Sequence, residues 1–271
     1  MQVSFWSDYH QLGTTSNMIA VALYTALRYR IRILMAHNHF ERSTLEPAFI
    51  DNSYLEYSLM DFSDTGIDAL SRFIKFNKIE KDEIASYTTT VLKNRLDLLT
   101  GTRNTNMDIY QSNMKETIQL ILKSAGVYYD LVFIDTAPGN NEISKKILEN
   151  SDLTVVNLSQ NPHAIESFLK NFGDYREKAF FIIGKYDPNS RFNIKKIKKR
   201  FNLNNIYAIP YDIEFADACV ECRVIDFFIK NLKADKKDIH GYFIKSVAET
   251  AEAILNTLGV DEKYRAGELG E

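Results

Sequence analysis

The sequence predicts an α/β fold: a doubly wound, mostly parallel sheet of about seven to eight strands with helices on both faces. Three observations carry this. Short apolar or β-branched runs alternate with longer helical patterns, the order expected of βαβ crossovers. Residues 131–139 read LVFIDTAPG, an apolar run ending in an aspartate and a tight turn. A buried parallel strand delivers a carboxylate to its C-terminal edge in this way, and that edge is where open α/β sheets bind ligands. At the start of the chain, VSFWS runs into the loop DYHQLGTT and then the helical stretch SNMIAVALYTALRY.

In chain order the expected strands are VSFWS, IRILMA, YLEYSLM, RLDLL, DLVFID, LTVVNL, AFFIIG and NIYAIP. Helical patterns fall at 67–77, 107–124, 142–150 and 239–258, where Ile239, Phe243, Val247, Ile254 and Leu258 form an apolar stripe. No Pro/Gly/Ser linker, composition break or internal repeat divides the chain, so one domain is expected over 1–258 with a polar tail over 259–271. The net charge of −3 does not mark the chain as a whole for nucleic acid. The start MQVSFWSDY has no positive n-region, no stretch approaches the roughly 18–20 apolar residues of a membrane span, and there are two cysteines. Together these lead to an expectation of a cytoplasmic protein without an integral membrane segment.

The loop before the first helix is the first candidate site. A helix N-terminus behind a glycine-containing loop presents free N–H groups and a positive dipole end to an anion. Gly13 allows close backbone approach, and Thr14, Thr15 and Ser16 supply hydroxyls for phosphate or Mg²⁺. Alone, the Gly-Thr-Thr stretch reads first as a plain N-cap. Paired with Asp135 on the same sheet edge, it outlines a P-loop nucleotide site in which Thr14 and Asp135 hold Mg²⁺ through the nucleotide. The contrasting reading has Asp135 merely capping a turn.

The order strand–loop–GTT–helix, then YYDLVFIDTAPG, FFIIGKYD and NIYAIPYDIEFADA, resembles the ParA/MinD branch of P-loop ATPases over most of the chain. RLDLLTGTR is similar to the Leu-x-Leu-Leu-x-Gly stretch of the TadZ/CpaE-type pilus-localisation members. The resemblance implies ATP and Mg²⁺ as ligands. It places the adenine base at Ile209, Pro210, Tyr211 and Asp212, and puts Gly184 where the family often has an asparagine.

Two departures stand out. Members carry an early signature lysine and a second lysine just before the paired threonines. Superposing the threonines sets Gly13 at the second lysine, with Asp8 or Tyr9 near the first. Sliding by one sets Thr14 at the lysine and Thr15 and Ser16 at the hydroxyl pair. Neither register has a lysine. At the end of strand two, where the family has Asp-x-Asp-Pro, this chain has His37, Asn38, His39 and Phe40. Phosphoryl transfer depends on charge stabilisation and on positioning the attacking water, so hydrolysis is expected to be weak or absent.

The expected function is therefore a nucleotide-binding or degenerate ParA/MinD-like positioning protein that recruits a pilus or secretion-type assembly to a cell site. Peripheral recruitment to the membrane or pole would follow. One alternative is an active ATPase cycling on DNA or membrane; another is a metal or iron–sulfur carrier. Association is expected as a homodimer through the nucleotide-facing edge, independent of ATP, because Trp6, Tyr9, His10 and Phe40 offer apolar and polar surface there. A monomer with those aromatics in the core is the alternative.

Other constellations have bland readings. His10, His37 and His39 fall near neighbouring strand ends and are more simply phosphate-binding or loop residues than metal ligands. Cys219 and Cys222 form C-x-x-C inside an expected helix, where packing competes with redox or metal roles. NIKKIKKRF places Ile194, Ile197 and Phe201 on one face and cations elsewhere: a solvated amphipathic helix first, a patch for nonspecific DNA or an acidic partner second.

Overall fold

A computed structural model describes residues 1–41, 43–51, 53, 64–139, 141–172, 179–235, 237–260 and 264. In chain order these form β1 (Gln2–Trp6), α1 (Thr14–Arg28), β2 (Ile33–His37), α2 (Gly66–Phe76), β3 (Thr89–Leu92), β4 (Leu96–Leu98), α3 (Met107–Tyr128) and β5 (Leu131–Asp135). There follow α4 (Glu142–Asn150), β6 (Leu153–Leu158), α5 (Pro162–Asn171), β7 (Ala179–Tyr186) and α6 (Ile194–Phe201). The last described elements are β8 (Ile206–Pro210), α7 (Ile213–Val220), α8 (Val224–Asn231) and α9 (Gly241–Thr257).

The strands make one sheet in the order β3-β4-β2-β5-β1-β6-β7-β8. All pairs are parallel except β3 with β4. The doubly wound α/β architecture follows from side-chain alternation along the strands. Phe5, Ile33, Met35, Phe133, Val155 and Phe180 face one side and pack under α1, α7, α8 and α9. Leu34, Val132 and Ile134 face the other, beneath α2, α3 and α4. Val156, Phe181 and Ile183 continue that second face beneath α5 and α6. Successive strand residues point to opposite faces, so near-continuous apolar runs bury both layers.

Three elements differ from the sequence expectation, and a fourth expected element is not described. The YLEYSLM strand lies outside the described residues. β3 was not expected, since its Thr89 and Thr90 are exposed and a two-sided apolar signal is missing at this antiparallel edge. α3 continues past residue 124 because Ala125 is still buried against the second cluster. α9 begins only at Gly241, leaving Ile239 in the preceding turn at 90% exposure; Phe243, Val247 and Ile254 do form its core face. α6 behaves as its pattern requires, with Ile197 buried and Ile194 and Phe201 packed against the core. No helix among the described residues is long and apolar enough to cross a membrane.

Strand register sets up the site. Asp135 pairs across β5 with Phe5 of β1 on one side and His37 of β2 on the other, so it emerges at the centre of the sheet's C-terminal edge.

Candidate functional site

The site begins at the N-terminus of α1. Gly13 is its N-cap residue in left-handed backbone (φ 80), and no side chain caps the helix. Asn17 N–H donates to Gly13 O at 2.8 Å. The amides of the first turn have no such intrahelical acceptor and point forward, with a positive dipole end and no acidic residue among them. They open into a cleft of about 430 Å³ lined by Ser7, His10, Gly13, Thr14, Thr15, Ser16, His39, Asp135 and Lys185, among others.

Within this cleft the two threonines do different things. Thr15 Oγ1 donates to Asp135 Oδ2 at 2.6 Å, joining α1 to β5. Thr14 Oγ1 donates instead to Ser7 Oγ at 3.0 Å, and Ser7 donates on to Tyr9 O. Asp135 is 1% exposed, and its Oδ1 has no hydrogen-bond partner. His39 Nε2 lies 3.2 Å from Asp135 Oδ2 but out of hydrogen-bonding alignment, and it too is without a hydrogen-bond partner. A buried carboxylate oxygen left unmet costs free energy unless something binds it. A carboxylate beside a hydroxyl is an oxygen donor set suited to a hard cation such as Mg²⁺.

Behind the cleft, His37 is buried and its Nε2 stands 2.5 Å from Glu46 Oε1. The same oxygen accepts from Gly101 N–H at 2.9 Å. Nδ1 of His37 accepts from the His39 amide at 3.1 Å, so in this arrangement the ring donates to Glu46 through Nε2. Burial pushes the His37 imidazole down, but the Glu46 charge and hydrogen bond, helped by Asp135, outweigh it and hold the ring above its ordinary value. Burial pushes Glu46 up, yet His37 and the Gly101 amide bring it to about 2. Gly101 is required here: a Cβ on it would stand 2.1 Å from His37 Cε1. This network positions His39 and escaped the sequence reading, because Glu46 and Gly101 carry no local motif that points to His37.

The structure thus brings Gly13, Thr14, Thr15, Ser16 and Asp135 together, with His10 and His39 at the same cleft. It does not bring Pro210, Tyr211 and Asp212 there. Pro210 ends β8 and Tyr211 is 59% exposed. Asp212 is the N-cap of α7, accepting from Phe215 N–H at 3.0 Å, while its other oxygen meets His240 Nδ1 at 2.7 Å. Nε2 of the same ring meets Glu214 at 2.7 Å.

Two further expectations are corrected. Trp6 is 1% exposed and packs on Phe168 and Phe172, with its indole N–H donating to Gly139 O, so it offers nothing to a partner surface. Tyr9 remains exposed, and Phe40 is half-buried against the second cluster. Cys222 lies past the end of α7, not inside a helix, with φ 56. Burial pushes the Cys219 thiol up to about 12, and burial with Asp51 and Asp226 raises Cys222, which works against thiolate chemistry. Among the described residues no group of three or more His, Cys, Asp or Glu is placed to hold a metal ion.

No protein-family model and no curated protein matches the chain. Solved structures do. A ParA family ATPase from Chlorobium tepidum aligns with TM-score 0.71 at 14% identity, covering 93% of this chain and 98% of that one. The septum site-determining protein MinD from Pyrococcus horikoshii, complexed with Mg-ADP, aligns at 0.70 and 13%, covering 96% and 97%. A Borrelia burgdorferi protein assigned to plasmid partition and bound to AMPPNP aligns at 0.66 and 18%, covering 94% and 98%. At these identities the likeness establishes the fold: the chain has the eight-stranded α/β fold of the ParA/MinD ATPases.

Proposed function

We propose that this chain is a nucleotide-binding positioning protein of the ParA/MinD type, a single unit over residues 1–258, that hydrolyses ATP slowly or not at all. The observation that carries the reading is Asp135: a buried carboxylate with one unmet oxygen, joined by Thr15 to the uncapped N-terminus of α1. Asp135 and Thr15 would hold Mg²⁺, and the α1 amides would cradle the phosphates. This favours the register in which Thr14 stands at the lysine position and Thr15 and Ser16 form the hydroxyl pair.

Slow hydrolysis is supported by what surrounds that carboxylate. Residues 7–15 contain no lysine to balance phosphate charge, and the end of β2 places imidazoles where the resemblance implies carboxylates. Each missing charge-stabilising group in phosphoryl transfer commonly costs on the order of 3 kcal/mol of barrier. Recruitment of a pilus or secretion-type assembly is supported by the likeness of RLDLLTGTR to the TadZ/CpaE-type stretch. Solved structures of this fold include a plasmid partition protein, a septum site-determining protein and a MinC:MinD cell division complex. Homodimerisation through the cleft-bearing edge rests on exposed Tyr9 in the loop.

The test is calorimetric titration with Mg·AMPPNP together with phosphate release from ATP. Saturable binding with turnover well below roughly 1 s⁻¹, the low end for ordinary kinases, is expected. Turnover at or above that rate favours the active, cycling ATPase. Absence of binding removes nucleotide from the account.

A further inference from the structure

We propose that Lys185, at the end of β7, is the phosphate-binding cation of this cleft, supplying from the sheet the charge that the loop lacks. The inference rests on the nucleotide-binding reading above and names the residue that makes the site electrostatically workable.

β7 is buried at every residue but Lys185. The β7–β8 pairing slips between Ile183 and Tyr186, and Lys185 adopts left-handed backbone with φ 50. A bulge of this kind re-aims a side chain out of the strand's alternation. For a residue with a Cβ, the left-handed conformation is unfavourable. The side chain so turned lines the cleft, with Lys185 Cγ 3.9 Å from where a Cβ on Gly13 would stand.

The close approach that makes this reach possible is built into Gly184. A Cβ there would lie 2.3 Å from the Leu12 carbonyl oxygen, so only glycine lets β7 press against the phosphate loop. The residue that the resemblance reads as a lost base contact is, in this chain, what brings its neighbour to the loop.

The charge balance points the same way. Among the described residues that line the cleft, Lys185 is the only lysine or arginine. Among the described residues it has no hydrogen bond or ion pair. Across the same cleft, Asp135 Oδ1 is buried and unmet. An ammonium free of ion pairs and a carboxylate with one oxygen unmet, both lining the cleft, suit a ligand that is itself cationic at one end and anionic at the other. A magnesium-bound triphosphate is such a ligand: the metal meets Asp135 and the phosphate oxygens meet Lys185.

The experiment is calorimetric titration of Mg·AMPPNP into wild type, Lys185→Met, Lys185→Arg and Asp135→Ala, with thermal midpoints for each. Lys185→Met is expected to bind about tenfold or more weakly at an unchanged midpoint, as loss of a charge-assisted hydrogen bond requires. Lys185→Arg should stay within about threefold of wild type, since the charge survives. If wild type and Lys185→Met bind alike while Asp135→Ala does not, the lysine is overturned and the nucleotide site stands. If Met and Arg weaken binding equally, shape and not charge is at work, and the proposal fails. If wild type binds nothing, both readings fall together.

Discussion

The cleft at α1 and the turn that opens α7 both gather acidic and basic groups at the C-terminal edge of the same sheet, yet they leave those groups in opposite states. At the turn, every charge is answered within the chain. Asp212 caps α7 and binds His240, whose other nitrogen binds Glu214, and Lys230 reaches Glu214 from α8. At the cleft, Asp135 Oδ1 and His39 Nε2 are buried without a hydrogen bond, and the exposed Lys185 side chain stands at the rim. Burying polar groups without partners is unfavourable, so a fold that tolerates it there and avoids it at a similar turn points to ligand at the first and scaffold at the second.

The sharpest way to break that contrast is Asp135→Ala. Affinity for Mg·AMPPNP should fall by about a hundredfold, while the melting temperature stays within a few degrees or rises, because the carboxylate removed is incompletely satisfied. A large loss of stability with binding intact would make Asp135 structural. Next in size is the pair of threonines. Thr15→Ala should weaken Mg·AMPPNP by about tenfold, and Thr14→Ala should do much less, since its hydroxyl is committed to Ser7. Equal losses, measured by calorimetry, would erase the distinction between them.

Asp212→Ala probes the other region. It removes the α7 cap and one partner of His240, and should cost about 1–2 kcal/mol in chemical denaturation. Nucleotide affinity should be unchanged; a matching drop would support the base-binding role the sequence suggests for Pro210, Tyr211 and Asp212.

The smallest effect is pH-dependent. Burial lowers the His240 pKa, but Asp212 and Glu214 more than compensate, so in the folded chain it lies above the ordinary 6.5. A raised histidine pKa contributes stability that is full below the unfolded value and lost as pH rises through the folded one. Melting temperature should therefore decline from pH 6 towards pH 9 in wild type, and His240→Gln should flatten that slope. Parallel slopes would show that the ring does not titrate with folding.

Much of the fold was legible because periodicity is local. The apolar runs VSFWS, DLVFID, LTVVNL and AFFIIG announce strands buried on both faces, and the aspartate after an apolar run marks the ligand edge. β3 was not legible, since Thr89 and Thr90 face outward on an antiparallel edge. Half of the site was legible too: Gly13, Thr14, Thr15, Ser16 and Asp135 sit at motif positions. The missing half depends on long-range approach. Glu46 and Gly101 converge on His37 only in the folded chain. Lys185 reaches the loop through a strand irregularity that no pattern of residue types announces. Trp6 misled for the complementary reason: an aromatic beside a loop looks like surface until Phe168 and Phe172 enclose it.

The central claim, that the unmet Asp135 carboxylate holds a cation belonging to a nucleotide, is tested most directly by titrating AMPPNP into wild type and Asp135→Ala, each with Mg²⁺ and with the metal chelated. The account predicts that wild-type affinity falls by about tenfold or more without Mg²⁺ and that the variant binds equally weakly in both conditions. Wild-type affinity indifferent to Mg²⁺ would contradict it.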